Sequence, residues 1–139
     1  MSIIEAVRTY LCTCPLLKDG KMNVDYLGAE PTEYTVDSVP VGEVVTSYVD
    51  GSSERQFEFI FASREAYGPQ VLLQLENAGF YERFAAWIQE QNRQKNFPLL
   101  DGGKEAQSIE VVTGGYLFAG TTDTARYQVQ CRLMYFQPA

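Results

Sequence analysis

The positions of hydrophobic residues predict a helix at the start of the chain. Ser2 followed by Glu5 is a capping-box pattern, in which side chains and backbone N–H groups of the first turn pair reciprocally. Apolar residues follow at helical spacing, at Ile4, Val7, Leu11 and Cys14. Because proline cannot continue a helix, the helix is expected to end before Pro15.

Residues 22–62 are predicted to form strands and turns. Met22–Leu27 and Glu33–Val36 are short strand candidates. Two longer candidates, Glu43–Val49 and Glu54–Ala62, flank the turn residues Asp50–Ser53, which is the arrangement of a hairpin. The second arm has three aromatic rings at alternate positions, Phe57, Phe59 and Phe61. Since side chains alternate between the two faces of a strand, these rings are expected on one buried face.

Residues 63–97 are predicted to be helical, with Ser63 as the N-cap. A first apolar stripe breaks at Asn77–Gly79, which favours a pair of helical segments over one continuous helix. The second segment has apolar residues spaced i, i+4, i+7 and i+8, at Phe80, Phe84, Trp87 and Ile88. Pro98 is expected to end it.

The last third of the chain is predicted to return to β structure. Ala106–Thr113 and Tyr116–Phe118 are strand candidates separated by Gly114–Gly115, a pair typical of a bulge within a sheet. Ala125–Tyr135 alternates almost strictly between apolar and polar residues, as a half-buried antiparallel strand does. The order predicts one α+β domain over residues 1–139, with an N-terminal helix and a central helical pair packed on one face of a mostly antiparallel (mixed) β-sheet.

Composition restricts the chemistry available to the chain. Its 139 residues, 45% of them hydrophobic, suit a single soluble domain. It contains no histidine, which excludes Ser-His-Asp and Cys-His nucleophiles and His-ligated zinc. No apolar run approaches the ~18 residues that a membrane span needs, and the first residues lack the basic region of a signal peptide. No membrane partner is therefore expected.

No catalytic, cofactor-binding or metal-binding residues are predicted, and no cofactor. The three cysteines, Cys12, Cys14 and Cys131, are too few for a disulfide framework and are interpreted as free thiols. Asp101–Lys104 resembles the end of a phosphate loop, but the earlier glycine and the following Ser or Thr are missing. No segment matches a calcium-binding EF-hand loop.

The net charge of −7 is concentrated in one quarter of the chain. Residues 22–54 contain no Lys or Arg and seven acids: Asp25, Glu30, Glu33, Asp37, Glu43, Asp50 and Glu54. Because binding to duplex DNA requires cations that displace counterions from the phosphates, this segment is not expected to hold DNA.

Aromatic residues supply the candidates for a protein interface, where tyrosine and arginine are enriched. The candidates in the acidic segment are Tyr26, Tyr34 and Tyr48. Asp123 and Arg126 form a further candidate, either as an ordered turn that stabilises the fold or as an interface anchor.

Six blocks of sequence resemble the small minor capsid proteins of prophages in Gram-positive bacteria. The likeness runs from about residue 10 to residue 137, through Pro15–Gly20, Val24–Leu27, Tyr48–Ser53, Arg55–Glu65, Gly79–Glu82 and Asp123–Arg132. Members are often labelled chloramphenicol resistance proteins. Known acetyl transfer to chloramphenicol uses a catalytic histidine, which this chain does not contain.

The resemblance implies a structural, non-enzymatic role in virion assembly. The element order is similar to that of the tail terminators of long-tailed phages, which form a ring, commonly a hexamer, where the tail tube joins the head. The partners implied are other copies of the chain, the tail tube and head connector proteins, and passing DNA without specific binding. The implied location is the virion, assembled in the bacterial cytoplasm.

The resemblance gives the acidic segment a hypothetical role. In a ring, residues 22–54 are expected to include the surface that faces the lumen, where carboxylates would repel DNA phosphates during ejection. The alternative is that these acids prevent the exposed hairpin from pairing edge to edge with other chains. Two other functions stay open: a small enzyme that uses carboxylate or cysteine chemistry, and a host-directed adaptor protein.

Overall fold

The computed structural model describes residues 2–17, 22–24, 33–66, 71–120 and 124–139. Two helices and six strands lie in these ranges. In chain order they are α1 (Ile3–Leu11), β1 (Met22–Val24), β2 (Glu33–Val39), β3 (Val44–Ser47), β4 (Ser53–Ala66), α2 (Val71–Gln94), β5 (Glu105–Gly120) and β6 (Thr124–Gln137).

The strands form one mixed sheet in the order β1-β2-β4-β6-β5, and β3 pairs with the first residues of β4. Every pairing is antiparallel except that of β1 with β2. The long strands β4 and β6 pair from Ser53–Gln137 to Ala66–Thr124, and they form the centre of the sheet. The predicted α+β fold with a mostly antiparallel sheet is confirmed.

One face of the sheet packs against both helices. The three alternating rings of β4 lie on this face, and Phe59 and Phe61 are fully buried opposite Cys131 and Val129 of β6. The helices contribute further buried side chains to the same cluster: Val7, Tyr10, Leu11, Phe80, Tyr81, Phe84 and Ile88. The sequence periodicity therefore identified the core of the sheet correctly.

Helix α1 begins as the capping box predicts. The Ser2 hydroxyl accepts the Glu5 backbone N–H at 3.3 Å and donates to the Glu5 carboxylate at 3.0 Å. The helix ends at Leu11, three residues earlier than the apolar pattern indicated. The chain nevertheless continues in turns, with the Cys14 N–H donating to the Leu11 carbonyl, and Cys14 stays buried in the core. The apolar stripe therefore extends beyond the α-helix itself.

Two predictions for the central helical region are wrong. Ser63 is not an N-cap: it lies inside β4, opposite Tyr127 of β6, and its side chain is fully buried. The predicted helical pair is one continuous helix, α2, which runs through Asn77–Gly79. A glycine inside a helix costs about 1 kcal/mol relative to alanine. Burial of Phe80 and Phe84 immediately after it offsets that cost.

The Gly114–Gly115 pair lies within a single strand rather than between two. Strand β5 continues from Glu105 to Gly120, and its pairing with β6 shifts register between Thr113 and Tyr116. This irregularity confirms the predicted bulge, because an extra residue on one strand shifts the register in this way. Within the described ranges, no helix combines the length and the hydropathy that crossing a membrane requires.

A buried hydroxyl network joins the sheet to α2. The Tyr81 hydroxyl of α2 donates to the Tyr127 carbonyl of β6 at 2.9 Å. The Ser63 hydroxyl of β4 is in hydrogen-bond contact with the same Tyr81 oxygen. Since the Tyr81 proton is engaged by the carbonyl, the serine is the donor in this second bond. The network thus connects β4, α2 and β6 through buried polar groups.

Candidate functional site

The described acids of the segment 22–54 lie on β2 and around the β3–β4 hairpin. Asp37 lies on β2, on the sheet face that the helices leave uncovered, whereas Glu43, Asp50 and Glu54 surround the β3–β4 hairpin. Glu33 begins β2. Asp25 and Glu30 lie outside the described residues. The structure therefore does not gather the described acids into one cluster.

Asp50 shapes the tip of the hairpin. Its carboxylate accepts the Ser52 backbone N–H at 2.9 Å and the Ser52 hydroxyl at 2.5 Å. These two hydrogen bonds, that of the hydroxyl first, hold the pKa of Asp50 below its ordinary value. Gly51 follows at φ 93°, a left-handed conformation that other residues rarely adopt. The predicted turn over residues 50–53 is thereby explained.

Glu43 lies directly before β3, at the start of the same hairpin, and its side chain contacts the last strand. It accepts the Tyr135 hydroxyl at 3.1 Å and lies 3.5 Å from the Arg55 guanidinium. Burial, followed by the charge of Glu43, raises the pKa of Tyr135 to about 12. Glu43 thus holds the start of the hairpin against the last strand, and Arg55 balances its charge.

Glu54 accepts hydrogen bonds from the hairpin loop and from β5, the strand beyond β6. The Tyr48 hydroxyl lies 3.4 Å from its carboxylate, and the Gln107 amide of β5 donates to it at 3.2 Å. Desolvation and then the charge of Glu54 raise the pKa of Tyr48. Both partners are uncharged, so they do not neutralise the negative charge of Glu54.

The sheet face opposite the helices carries two groups of ion pairs among the described residues. In the first, the Arg126 guanidinium of β6 contacts Asp37 of β2 at 3.0 Å, and Thr35 donates to the same carboxyl at 2.9 Å. Arg126 lies opposite Arg64 of β4, which lies opposite Glu33 of β2, so its side chain reaches diagonally past β4 to a residue four positions further along β2. The predicted interface residue Arg126 is therefore half-buried and paired with a predicted lumen residue.

The second group is a row of alternating charge across three adjacent strands. Glu58 of β4 lies opposite Arg132 of β6, which lies opposite Glu110 of β5. Arg132 is 3.3 Å from Glu58 and 3.2 Å from Glu110, and Gln130 donates to Glu58 at 2.7 Å. Pairs of opposite charge directly across a sheet stabilise the pairing of strands. These charged residues are therefore explained by their contribution to the pairing of β4, β6 and β5.

The predicted tyrosine candidates have different environments. Tyr48 is exposed on the hairpin, as expected of an interface residue. The prediction of an exposed Tyr34 is wrong: only 1% of the residue is accessible, and its ring stacks on Phe61 at 5.7 Å between centroids. Tyr34 lies on the core face because β2 pairs there with β4, opposite Ser63. Tyr26 and Asp123 lie outside the described residues.

The hairpin carries an apolar surface that sequence reasoning missed. All four residues of β3 are exposed, and five large hydrophobic side chains are accessible between residues 41 and 49: Val41, Val44, Val45, Tyr48 and Val49. Adjacent residues of a strand point to opposite faces, so the pair Val44-Val45 could have indicated that one valine would face solvent. We call this surface the valine hairpin.

The groups available for chemistry are sparse among the residues with described side chains. No cluster of three or more Cys, Asp or Glu side chains is placed there to hold a metal ion. Cys14 and Cys131 are buried free thiols, and burial raises the pKa of both. Cys12 is exposed and free. Of the seven exposed large hydrophobic side chains among the described residues, five lie in the valine hairpin.

No protein-family model matches this chain, and no curated protein sequence matches it.

Proposed function

We propose that this chain is a structural bacteriophage (prophage) virion protein, a minor capsid or tail-terminator protein that acts at the head–tail junction and assembles into a ring. The sequence blocks that resemble prophage minor capsid proteins support the proposal, and so does the α+β fold, in which a helix, four strands, a second helix and two strands follow one another. Fold alone does not fix function, so the surface of the protein has to carry the argument.

The observation that carries the proposal is the valine hairpin. Large hydrophobic side chains that are grouped on a surface mark sites of contact with other proteins. Here they lie on one projecting element, and Val49 is fully exposed at its end. A protein that functions through stacking with neighbouring subunits requires a surface of this kind.

In the proposed ring, the acidic segment, residues 22–54, includes the surface that faces the lumen. Asp37 and Glu43 have arginine partners, whereas the hydrogen-bond partners of Asp50 and Glu54 are uncharged. Among the described contacts, Asp50 and Glu54 therefore have no arginine partner, and the repulsion of DNA phosphates is proposed for residues 22–54 as a segment and not for these two acids in particular. A structure of the assembled ring tests this part of the proposal, which is wrong if the carboxylates of residues 22–54 point outward.

The test of the function is deletion of the reading frame from an inducible lysogen. We expect induction to yield separate heads and tails, visible by electron microscopy, and a loss of plaques that expression of the intact chain restores. Infectious, fully joined particles from the deletion strain would overturn the proposal. The purified chain is also assayed for enzymatic activity, because turnover of a metabolite would contradict a non-enzymatic role.

A further inference from the structure

The valine hairpin lies at one edge of the sheet. Strand β3 pairs with β4 on one side, and its register runs from Val44–Arg55 to Ser47–Ser53. The pairings continue across the sheet: Thr46 lies opposite Glu54, Glu54 opposite Phe136, and Phe136 opposite Glu105. At this end of the sheet the order is therefore β3-β4-β6-β5, and β5 forms the other edge.

A groove lies at the end of the molecule where β5 begins. Two depressions, of about 370 Å³ and 280 Å³, share Phe97, Pro98 and Leu99 in their linings. The larger one is bounded by α1, and the smaller one extends to Lys104, Glu105 and Ala106 at the start of β5. Leu99 is 89% exposed, so the groove presents an apolar residue directly to solvent. We call this surface the Leu99 groove.

The two surfaces suit a head-to-tail contact. Glu105 of the groove and Thr46 of the hairpin occupy the same row of the sheet but opposite edges. A contact between different surfaces of identical subunits repeats from copy to copy, and it closes into a ring when the rotation permits. A projection at one edge and a groove at the other edge are the two halves of such a contact.

Charge favours this pairing over a contact between two hairpins. The hairpin carries Asp50 and Glu54 and has no lysine or arginine between residues 41 and 54. The lining of the smaller depression includes Lys95 and Lys104 beside a single acid, Glu105. Two hairpins in contact would bring like charges together, whereas the hairpin and the groove bring opposite charges together.

We propose that the valine hairpin of one copy of this chain docks into the Leu99 groove of a second copy, with Val49 against Leu99 and the hairpin acids towards Lys95 and Lys104. This inference rests on the self-assembly in the proposed function, and it identifies the two surfaces that make the contact between copies. Burial of the exposed valines and Leu99 supplies the hydrophobic contribution, and the flanking charges fix the orientation.

The first test places a charge on each half of the contact. Val49→Asp and Leu99→Asp are compared with Val112→Asp, a matched control because Val112 is also an exposed valine, on β5. We expect each of the first two substitutions to weaken self-association about tenfold or more by analytical ultracentrifugation, and the control to leave it unchanged. Equal circular dichroism spectra and melting temperatures check that all three variants are folded.

The second test traps the contact. In a Cys12→Ser background, which removes the exposed native thiol, Val49→Cys and Leu99→Cys chains are oxidised separately and as a mixture. We expect disulfide-linked dimers only in the mixture, and longer oligomers from a chain that carries both cysteines. Dimers of Val49→Cys alone would show hairpin-to-hairpin pairing and overturn the inference.

The results separate the inference from the proposed function. Rings that form equally well in Val49→Asp and Leu99→Asp would overturn the docking surfaces and leave the virion role intact. A wild-type chain that stays monomeric at its highest soluble concentration would overturn the docking inference and the self-assembly on which it rests. The lysogen deletion then decides the virion role independently.

Discussion

Arg126 of β6 reaches across β4 to Asp37 of β2, with Nη2 3.0 Å from Oδ2, and so joins residues 89 positions apart in the chain. The two side chains are 20% and 24% exposed, which places the pair partly out of water. Arg126 also donates to Gln128 at 3.0 Å, so the guanidinium is held on both sides. Sequence analysis assigned these residues to different hypothetical surfaces, whereas the fold makes them partners.

Removal of Arg126 is predicted to destabilise the protein. Arg126→Gln leaves the half-buried Asp37 carboxylate with Thr35 but without a positive charge, and we expect a loss of about 1–2 kcal/mol in the free energy of unfolding. Urea denaturation measures the loss. Asp37→Asn is the matched variant, and the double variant should show a coupling of about 1 kcal/mol. Additive effects of the two substitutions would contradict the pairing.

Tyr34 and Tyr48 provide a second prediction, because both are interface candidates from the sequence, whereas in the structure Tyr34 is buried and Tyr48 is exposed. Tyr34→Ala empties a site between Phe61 and Phe80, and we expect it to cost about 3–5 kcal/mol in unfolding free energy. Tyr48→Ala removes an exposed ring and should leave the stability of the monomer nearly unchanged. Similar denaturation midpoints for the two variants would contradict the buried position of Tyr34.

The sequence predicted the strands with strict alternation most accurately. The β6 residues Tyr127, Val129, Cys131, Leu133 and Tyr135 are all buried, as their period of two indicates. A two-residue period places side chains on one face without reference to any other part of the chain. The same local rule located the rings of β4, and the serine of the capping box located the start of α1.

The features that sequence analysis missed depend on contacts between distant segments. Ser63 has the side chain of a helix N-cap, but the pairing of β4 with β6 continues past it and draws it into the sheet. Tyr34 lies in an acidic segment that suggests exposure, yet β2 pairs with β4 and turns the ring into the core. The pairing of Asp37 with Arg126 likewise follows from strand order, which local patterns do not determine.

The buried hydroxyl network supports a third prediction. Tyr81→Phe removes the donor to the Tyr127 carbonyl and the acceptor for Ser63, and we expect a loss of about 1–3 kcal/mol in unfolding free energy. Ser63→Ala should cost less, because Tyr81 keeps its bond to the carbonyl. Since the residues act through one network, the double variant should lose less than the sum of the two. A Tyr81→Phe variant as stable as the wild type would contradict the network.

The fourth prediction concerns stability at alkaline pH. Burial and the neighbouring Glu43 raise the pKa of Tyr135 to about 12 in the folded chain. In the unfolded chain the tyrosine has its ordinary pKa of about 10. Between these two pH values Tyr135 therefore keeps its proton in the folded chain and loses it in the unfolded chain. The folded state then binds more protons than the unfolded state, so stability decreases as the pH rises. The contribution of Tyr135 is fully present below pH ~10 and is lost by pH ~12.

The variants Tyr135→Phe and Glu43→Gln isolate this effect. Tyr135→Phe has no phenolic proton at this position, and Glu43→Gln removes the charge that opposes ionisation, so both should show a shallower decrease in unfolding free energy between pH ~10 and ~12. Urea denaturation at a series of pH values measures the slopes, and tyrosinate absorbance follows the ionisation directly. Tyr10, whose pKa burial also raises, is common to all three proteins and cancels in the comparison. Equal slopes in the wild type and Tyr135→Phe would show that Tyr135 ionises alike in the folded and unfolded states, which would contradict its burial and its hydrogen bond to Glu43.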